Sequence, residues 1–106
     1  MPMYGLIDSG ADDALFPLVI ATRLGIDLAK CRRESCETSG GTADQYIWDG
    51  GVEIEIPAMG GMRISATASF SAGLPSRIVL LGRNDFFSTF RVYLDERAKL
   101  FRLEPY

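Results

Sequence analysis

The sequence contains no histidine. That excludes Ser–His and Cys–His nucleophilic catalysis and the common histidine-based zinc sites. Any catalysis has to run on carboxylates, hydroxyls, lysine or cysteine. Cysteine is scarce too, with only Cys31 and Cys36. Two are too few for a disulfide framework, and their spacing is not that of a redox Cys-x-x-Cys. They read as reduced thiols, with a local disulfide as the alternative. Long apolar runs are also missing. The longest spans residues 14–21, with Pro17 inside it, well short of the about 20 residues that cross a bilayer. The opening Met1-Pro2-Met3-Tyr4-Gly5 has neither a basic start nor an apolar stretch, so no secretory leader is visible. A membrane partner is not expected, and a cytoplasmic location is favoured. Nor is there a basic excess. Eleven Lys and Arg stand against 14 Asp and Glu, for a net charge of −3. That offers no phosphate-binding stripe, and nucleic acid is not an expected partner.

What remains is the composition of an ordinary globular chain, 47% hydrophobic and 24% charged, which excludes disorder and collagen-like structure. No repeat or linker divides it, so residues 1–106 are expected to form a single domain. Residues 4–8 read as a short apolar strand running into a turn at Ser9-Gly10. Residues 15–24 read as a helix, with Pro17 in its first turn and Gly25 just past its end. The pattern then changes to period two. Val52, Ile54 and Ile56 alternate with Glu53 and Glu55, and an alternating run follows from Met62 to Phe70. Both are half-buried antiparallel strands, with turn chemistry at Pro57 and Gly60-Gly61 between them. Residues 77–81 predict a strand buried on both faces, 84–90 a two-turn helix, and 91–95 with 99–103 a hairpin. The expected class is all-β with one or two short helices, the sheet folded over or closed into a barrel.

Two segments carry chemical information. In Leu6-Ile7-Asp8-Ser9-Gly10-Ala11 an apolar strand delivers an Asp into a Ser-Gly turn. About 70 residues later, Leu80-Leu81-Gly82-Arg83-Asn84 ends a second apolar strand at Gly and enters a helix. Each alone is modest, because Asp-Ser-Gly is turn chemistry in any protein. Together they resemble the retropepsin-like aspartic proteases, the single-domain dimeric relatives of pepsin that include the retroviral enzymes. Asp8-Ser9-Gly10-Ala11-Asp12-Asp13 is similar to the retroviral catalytic loop. Ser39-Gly40-Gly41 lies where the family has its glycine-rich flap tip. Glu53-Ile54-Glu55-Ile56 lies where the strand after the flap belongs, and Leu81-Gly82-Arg83-Asn84 is similar to the strand-to-helix junction behind the loop.

The resemblance implies an aspartic endopeptidase active as a homodimer, acting on an extended peptide or protein substrate, with no metal or organic cofactor. Asp8 would be the catalytic carboxylate. Peptide hydrolysis without a metal or covalent attack needs a base and an acid together. A two-fold axis through the site would set Asp8 beside its symmetry mate, and two carboxylates that close share a proton. Ser9, Gly10, Ala11, Asp12, Gly82 and Arg83 would support the loop. The Ser9 hydroxyl would bond across the axis, Gly10 would allow the sharp turn, and Asp12 would pair with the Arg83 guanidinium. That pair is expected between core and dimer interface, and therefore partly buried. Ser39, Gly40 and Gly41 would cover the bound peptide. Tyr46, Ile47 and Trp48 either line the cleft or pack beneath the flap, the latter favoured by the bias of aromatics toward core contacts.

Only seven residues precede Asp8, fewer than in the retroviral proteases, so either the chain is a fragment or the sheet is completed otherwise, with the hairpin at residues 91–103 as the segment able to supply the missing dimer contacts. The competing reading is a non-catalytic peptide-binding or dimerisation module that keeps the fold and binds by strand addition. A small β-barrel with a chance motif is a third, and it would leave Asp8 on a turn away from any two-fold axis.

Overall fold

The computed structural model describes residues 3–38, 41–95 and 97–106, the side chains of 36–38 excepted. Strand β1 (Tyr4–Ile7) leads through a loop to β2 (Ala14–Pro17), helix α1 (Leu18–Arg23) and a 3-10 turn at Leu28–Lys30. A long hairpin follows, of β3 (Arg32–Thr38) and β4 (Gly41–Ile56), then a 3-10 turn at Pro57–Met59 and β5 (Met62–Ser71). Strand β6 (Ile78–Leu81) enters a π-helical turn at Arg83–Phe87, and β7 (Phe90–Asp95) with β8 (Leu100–Pro105) ends the chain.

Six strands form one sheet in the order β1-β6-β2-β5-β4-β3, and β7 and β8 form a separate two-stranded ribbon. β1 runs parallel to β6, from Tyr4 opposite Ile78 to Ile7 opposite Leu81. That pairing sets the end of the first motif beside the end of the second. No helix among the described residues is long and apolar enough to cross a membrane.

The period-two reading of residues 52–56 and 62–70 holds. Ile64, Ala66, Ala68 and Phe70 are buried, while Arg63 and Ser65 are exposed. The hairpin at the C-terminal end also holds, with Phe90 opposite Pro105 and Asp95 opposite Leu100. Gly25 takes a left-handed conformation (φ +74°) just past α1, the usual glycine stop.

The helix expected over 15–24 is shorter. Leu15 and Phe16 belong to β2, parallel to β5, with Phe16 opposite Phe70 and their ring centroids 5.8 Å apart. An apolar run beside a proline suits either strand or helix, and the distant partner Phe70 decides for strand. Pro17 then caps α1 from outside. Residues 78–81 alternate between half-buried and buried rather than being buried throughout. The two-turn helix expected over 84–90 is a single π-helical turn. It places Phe86 in the core with Phe70 and Phe90, all three nearly inaccessible to solvent. The sheet does not close into a ring, and its outer strands are β1 and β3.

Candidate catalytic loop

Asp8 is the residue at which β1 stops. Its N–H donates to the Leu81 carbonyl at 3.0 Å, extending the β1–β6 pairing by one position. Its Oδ1 accepts the Gly10 N–H at 2.9 Å, and its carbonyl accepts the Ala11 N–H at 3.2 Å. This is an Asx turn. It fixes the carboxylate against its own backbone and leaves Ser9 and Gly10 exposed at the tip. A Cβ at Gly10 would stand 3.1 Å from Oδ1, so even an alanine would crowd the carboxylate.

The loop is bolted from behind by the second motif. Arg83 N–H donates to the Ala11 carbonyl at 3.0 Å and Asn84 N–H to the Asp12 carbonyl at 2.8 Å. Gly82 is buried in the junction. A Cβ there would lie 2.7 Å from the Asp13 carbonyl oxygen and 2.8 Å from that of Ala11. Its φ of −100° is ordinary, so glycine is needed for space rather than for backbone freedom.

Side chains repeat the backbone registration. The Arg83 guanidinium hydrogen-bonds Asp12 Oδ1, and Asn84 Nδ2 donates to Asp13 Oδ1 at 2.9 Å. The Asp12–Arg83 contact is therefore present across 71 residues, but it is not buried. The two side chains are 71% and 57% exposed, because both project from the solvent side of the junction. The large stability contribution of a buried pair is replaced by that of a surface pair, about 0–1 kcal/mol.

One residue further on, Asp85 faces inward. Its Oδ2 is buried with no protein partner among the described residues. Burial first, and then the charge of Asp13, raise its pKa above the ordinary carboxylate value, against the opposing pull of the Thr67 backbone N–H. Asn84 and Asp13 were quoted within the two motifs but given no role, and Asp85 was not singled out in the sequence. The signal was available for the first two: Asp12-Asp13 and Arg83-Asn84 are adjacent doublets with equal separation, so one contact in register implies the next.

The hairpin of β3 and β4 stands where a flap is expected. Thr38 pairs with Gly41 and Arg32 with Ile47. Ser39 and Gly40, expected at the tip, lie outside the described residues, while Gly41 opens β4 with φ +119°. The arms are braced by exposed ion pairs. Arg32 grips Asp49 with two hydrogen bonds, at 2.8 and 2.9 Å, and Arg33 bonds Asp44 while lying over the Tyr46 ring. Those arginines hold Asp44 and Asp49 below the ordinary carboxylate pKa. Ile47 is buried, and Trp48 packs half-buried against the core, as the packing alternative for these residues expected. Cys31 carries a free, half-buried thiol. Among the described residues no group of three or more Cys, Asp or Glu is placed to hold a metal ion.

No family model matches the chain, and no curated protein matches it either. Among solved structures it is similar to a crystal structure of a retropepsin-like aspartic protease from Rickettsia conorii. The two share 21% identity over 85% of this chain and 72% of the other, with a TM-score of 0.59. With the Asp-Ser-Gly turn seated on β6 and the Gly82–Arg83 junction behind it, the chain has a retropepsin-like fold.

Proposed function

We propose that the chain, as one domain over residues 1–106, is an aspartic endopeptidase of retropepsin type, active as a homodimer with one Asp8 from each subunit. The observation that carries the reading is the locked carboxylate of Asp8. It sits at the end of β1, oriented by the Gly10 N–H, with its own N–H donating to Leu81 and its loop accepting backbone hydrogen bonds from Arg83 and Asn84.

A single carboxylate cannot act as base and acid at once. Two related by a two-fold axis share one proton, the division of roles known for aspartic proteases. The ionised Asp8 takes a proton from water, which attacks the peptide carbonyl. The protonated Asp8 gives its proton to the carbonyl oxygen. The proton taken from water then passes to the amide nitrogen, while the Asp8 that gave its proton recovers one from the gem-diol. The C–N bond breaks, the amine and the acid leave, and the shared-proton pair is restored. Ser9 ties the two loops together, with Gly10, Ala11, Asp12, Gly82 and Arg83 in support. The β3–β4 hairpin closes over an extended peptide and excludes water, and Ser39, Gly40 and Gly41 are assigned to contact that peptide.

The dimer is supported by the large apolar side chains exposed on the β7–β8 ribbon and just after it: Leu94, Leu100, Phe101 and Tyr106 are each at least 60% exposed. Such a patch on a soluble domain marks an interaction surface.

The test is cleavage of a peptide library by wild type and by Asp8→Asn. Asn is nearly isosteric but cannot carry the shared proton. We expect cleavage to fall by at least about 10²–10⁴-fold with unchanged folding and dimerisation. Specific activity of the wild type should also fall on dilution below the dimer dissociation constant. Undiminished cleavage by Asp8→Asn overturns the assignment of Asp8, and constant specific activity of a monomer overturns the shared site.

A further inference from the structure

The sheet stops short on two sides of one space. Among the described residues β1 is hydrogen-bonded along one edge only, to β6. The second half of β4 is likewise paired, among the described residues, only with β5, because β3 leaves β4 at Ile47 while β5 follows it to Ile56. Both open edges border the same cavity, of about 1040 Å³, lined by Met3, Gly5 and Ile7 on one side and by Val52, Ile54 and Ile56 on the other. That volume is at the top of the range for pockets that hold a compact ligand, and its walls are mostly apolar.

We propose that this cavity is a strand-acceptor site for an extended segment of a partner protein, apolar at alternate positions with Lys or Arg between them. Backbone N–H and C=O groups along an open edge beside apolar side chains lack partners that a strand would supply. A small molecule satisfies few of them, whereas an added strand continues the ladder.

The side-chain pattern of β4 fixes the chemistry of the guest. Val52, Ile54 and Ile56 are half-buried, while Glu53 and Glu55 are exposed on the opposite face and reach the cavity rim. A strand laid beside β4 alternates in the same way. Its inward positions face the apolar wall, and its outward positions stand about 5 Å from the two glutamates. Glu53 shares only a long contact with Arg63, at 3.7 Å, and Glu55 makes no ion pair among the described residues. An outward Lys or Arg is therefore matched, and an outward Asp or Glu is repelled. The open stretch from Val52 to Ile56 spans about 17 Å at about 3.4 Å per residue, so the guest needs five to seven residues.

Trp48 reports on occupancy because it lines this cavity and is the chain's one tryptophan. The probe is the blocked peptide Val-Lys-Val-Lys-Val-Lys-Val, titrated into the full chain and followed by Trp48 emission. Its Glu counterpart and a version N-methylated at alternate amides serve as controls. We expect a saturable blue shift with the Lys peptide, at least tenfold weaker binding of the Glu peptide, and none of the N-methylated one. Glu55→Lys, an exposed change, should narrow or reverse the preference, with Glu55→Gln between. The Asp8→Asn variant, which cannot cleave the probe, should bind it like wild type, and the response to Glu55, which lines this cavity and not the proposed cleft, separates the two sites. Three results would overturn the proposal: no saturable change with the Lys peptide, equal affinity for the Glu or N-methylated peptide, or affinity that falls as protein concentration rises. The last would mean that a second copy of the chain fills the cavity.

Discussion

The loop that carries Asp8 and the hairpin of β3 and β4 are held in place by different means. Three backbone hydrogen bonds join the loop to β6 and the turn after it, and they meet around a glycine with no room for a methyl group. The hairpin arms pair regularly with each other, but their side-chain braces are exposed ion pairs between near neighbours, and the register with β5 shifts between Trp48 and Val52. Backbone bonds in a close-packed junction fix position to a fraction of an ångström, while surface ion pairs in water are worth little and exchange readily. The molecule thus combines a rigid floor with an adjustable arm. That is the mechanical requirement of a site that has to hold a carboxylate still while something closes over it.

The largest effect is expected from Gly82→Ala. The added methyl would meet carbonyl oxygens of the Asp8 loop at 2.7 and 2.8 Å, so the loop has to move. Overpacking of this kind costs about 1–3 kcal/mol, which thermal unfolding reads as a loss of several degrees. An unchanged melting temperature would show that the junction is as yielding as the hairpin, and the contrast would disappear.

Asp85→Asn tests the same junction through pH. The folded-state pKa of Asp85 is raised by burial and by Asp13, so the folded chain holds this proton more tightly than the unfolded chain. Asp85 therefore costs stability as pH rises from its ordinary value through its raised one, and the cost persists at neutral pH. Asn removes that slope. The variant should match wild type in strongly acidic solution and exceed it at neutral pH by less than about 1 kcal/mol, since the side chain is partly solvated. Denaturant unfolding between pH 3 and 8 measures this, and parallel stability curves for the two proteins would refute it.

The smallest effects are expected from the ion pairs. Arg83→Ala and Arg32→Ala should each cost about 0–1 kcal/mol, vanishing in 1 M salt. Their dynamic consequences should differ. Amide exchange at Arg83 and Asn84 should persist unchanged without the Arg83 guanidinium, because the backbone bonds remain. Loss of Arg32 should speed exchange along β3. Equal acceleration in both regions would show that the loop depends on its ion pair after all.

The parts of this arrangement legible in the sequence are those whose signal is local. Asp8-Ser9-Gly10 announces its turn, and Leu81-Gly82-Arg83 announces a strand end that needs a residue without a side chain. The alternation from Met62 to Phe70 announces one buried face. What was misread depended on partners far along the chain. Leu15 and Phe16 carry a pattern that suits a helix until Phe70 claims Phe16 for the sheet. The exposure of Asp12 and Arg83 depends on which side of the junction meets solvent, and neither residue's neighbours encode it. The long β4 runs through Gly50-Gly51 because a register shift with β5 absorbs the irregularity.

The 71-residue reach of the Asp12–Arg83 and Asp13–Asn84 contacts also orders events in time. Closing a loop that long costs conformational entropy before any contact repays it, and non-local pairing of this kind is slow. During synthesis the Asp8 segment is made first, and the residues that shape it follow 71 residues later. Until then Asp8 is one carboxylate on an unanchored turn, and the geometry that the proposed function needs is absent from the nascent chain.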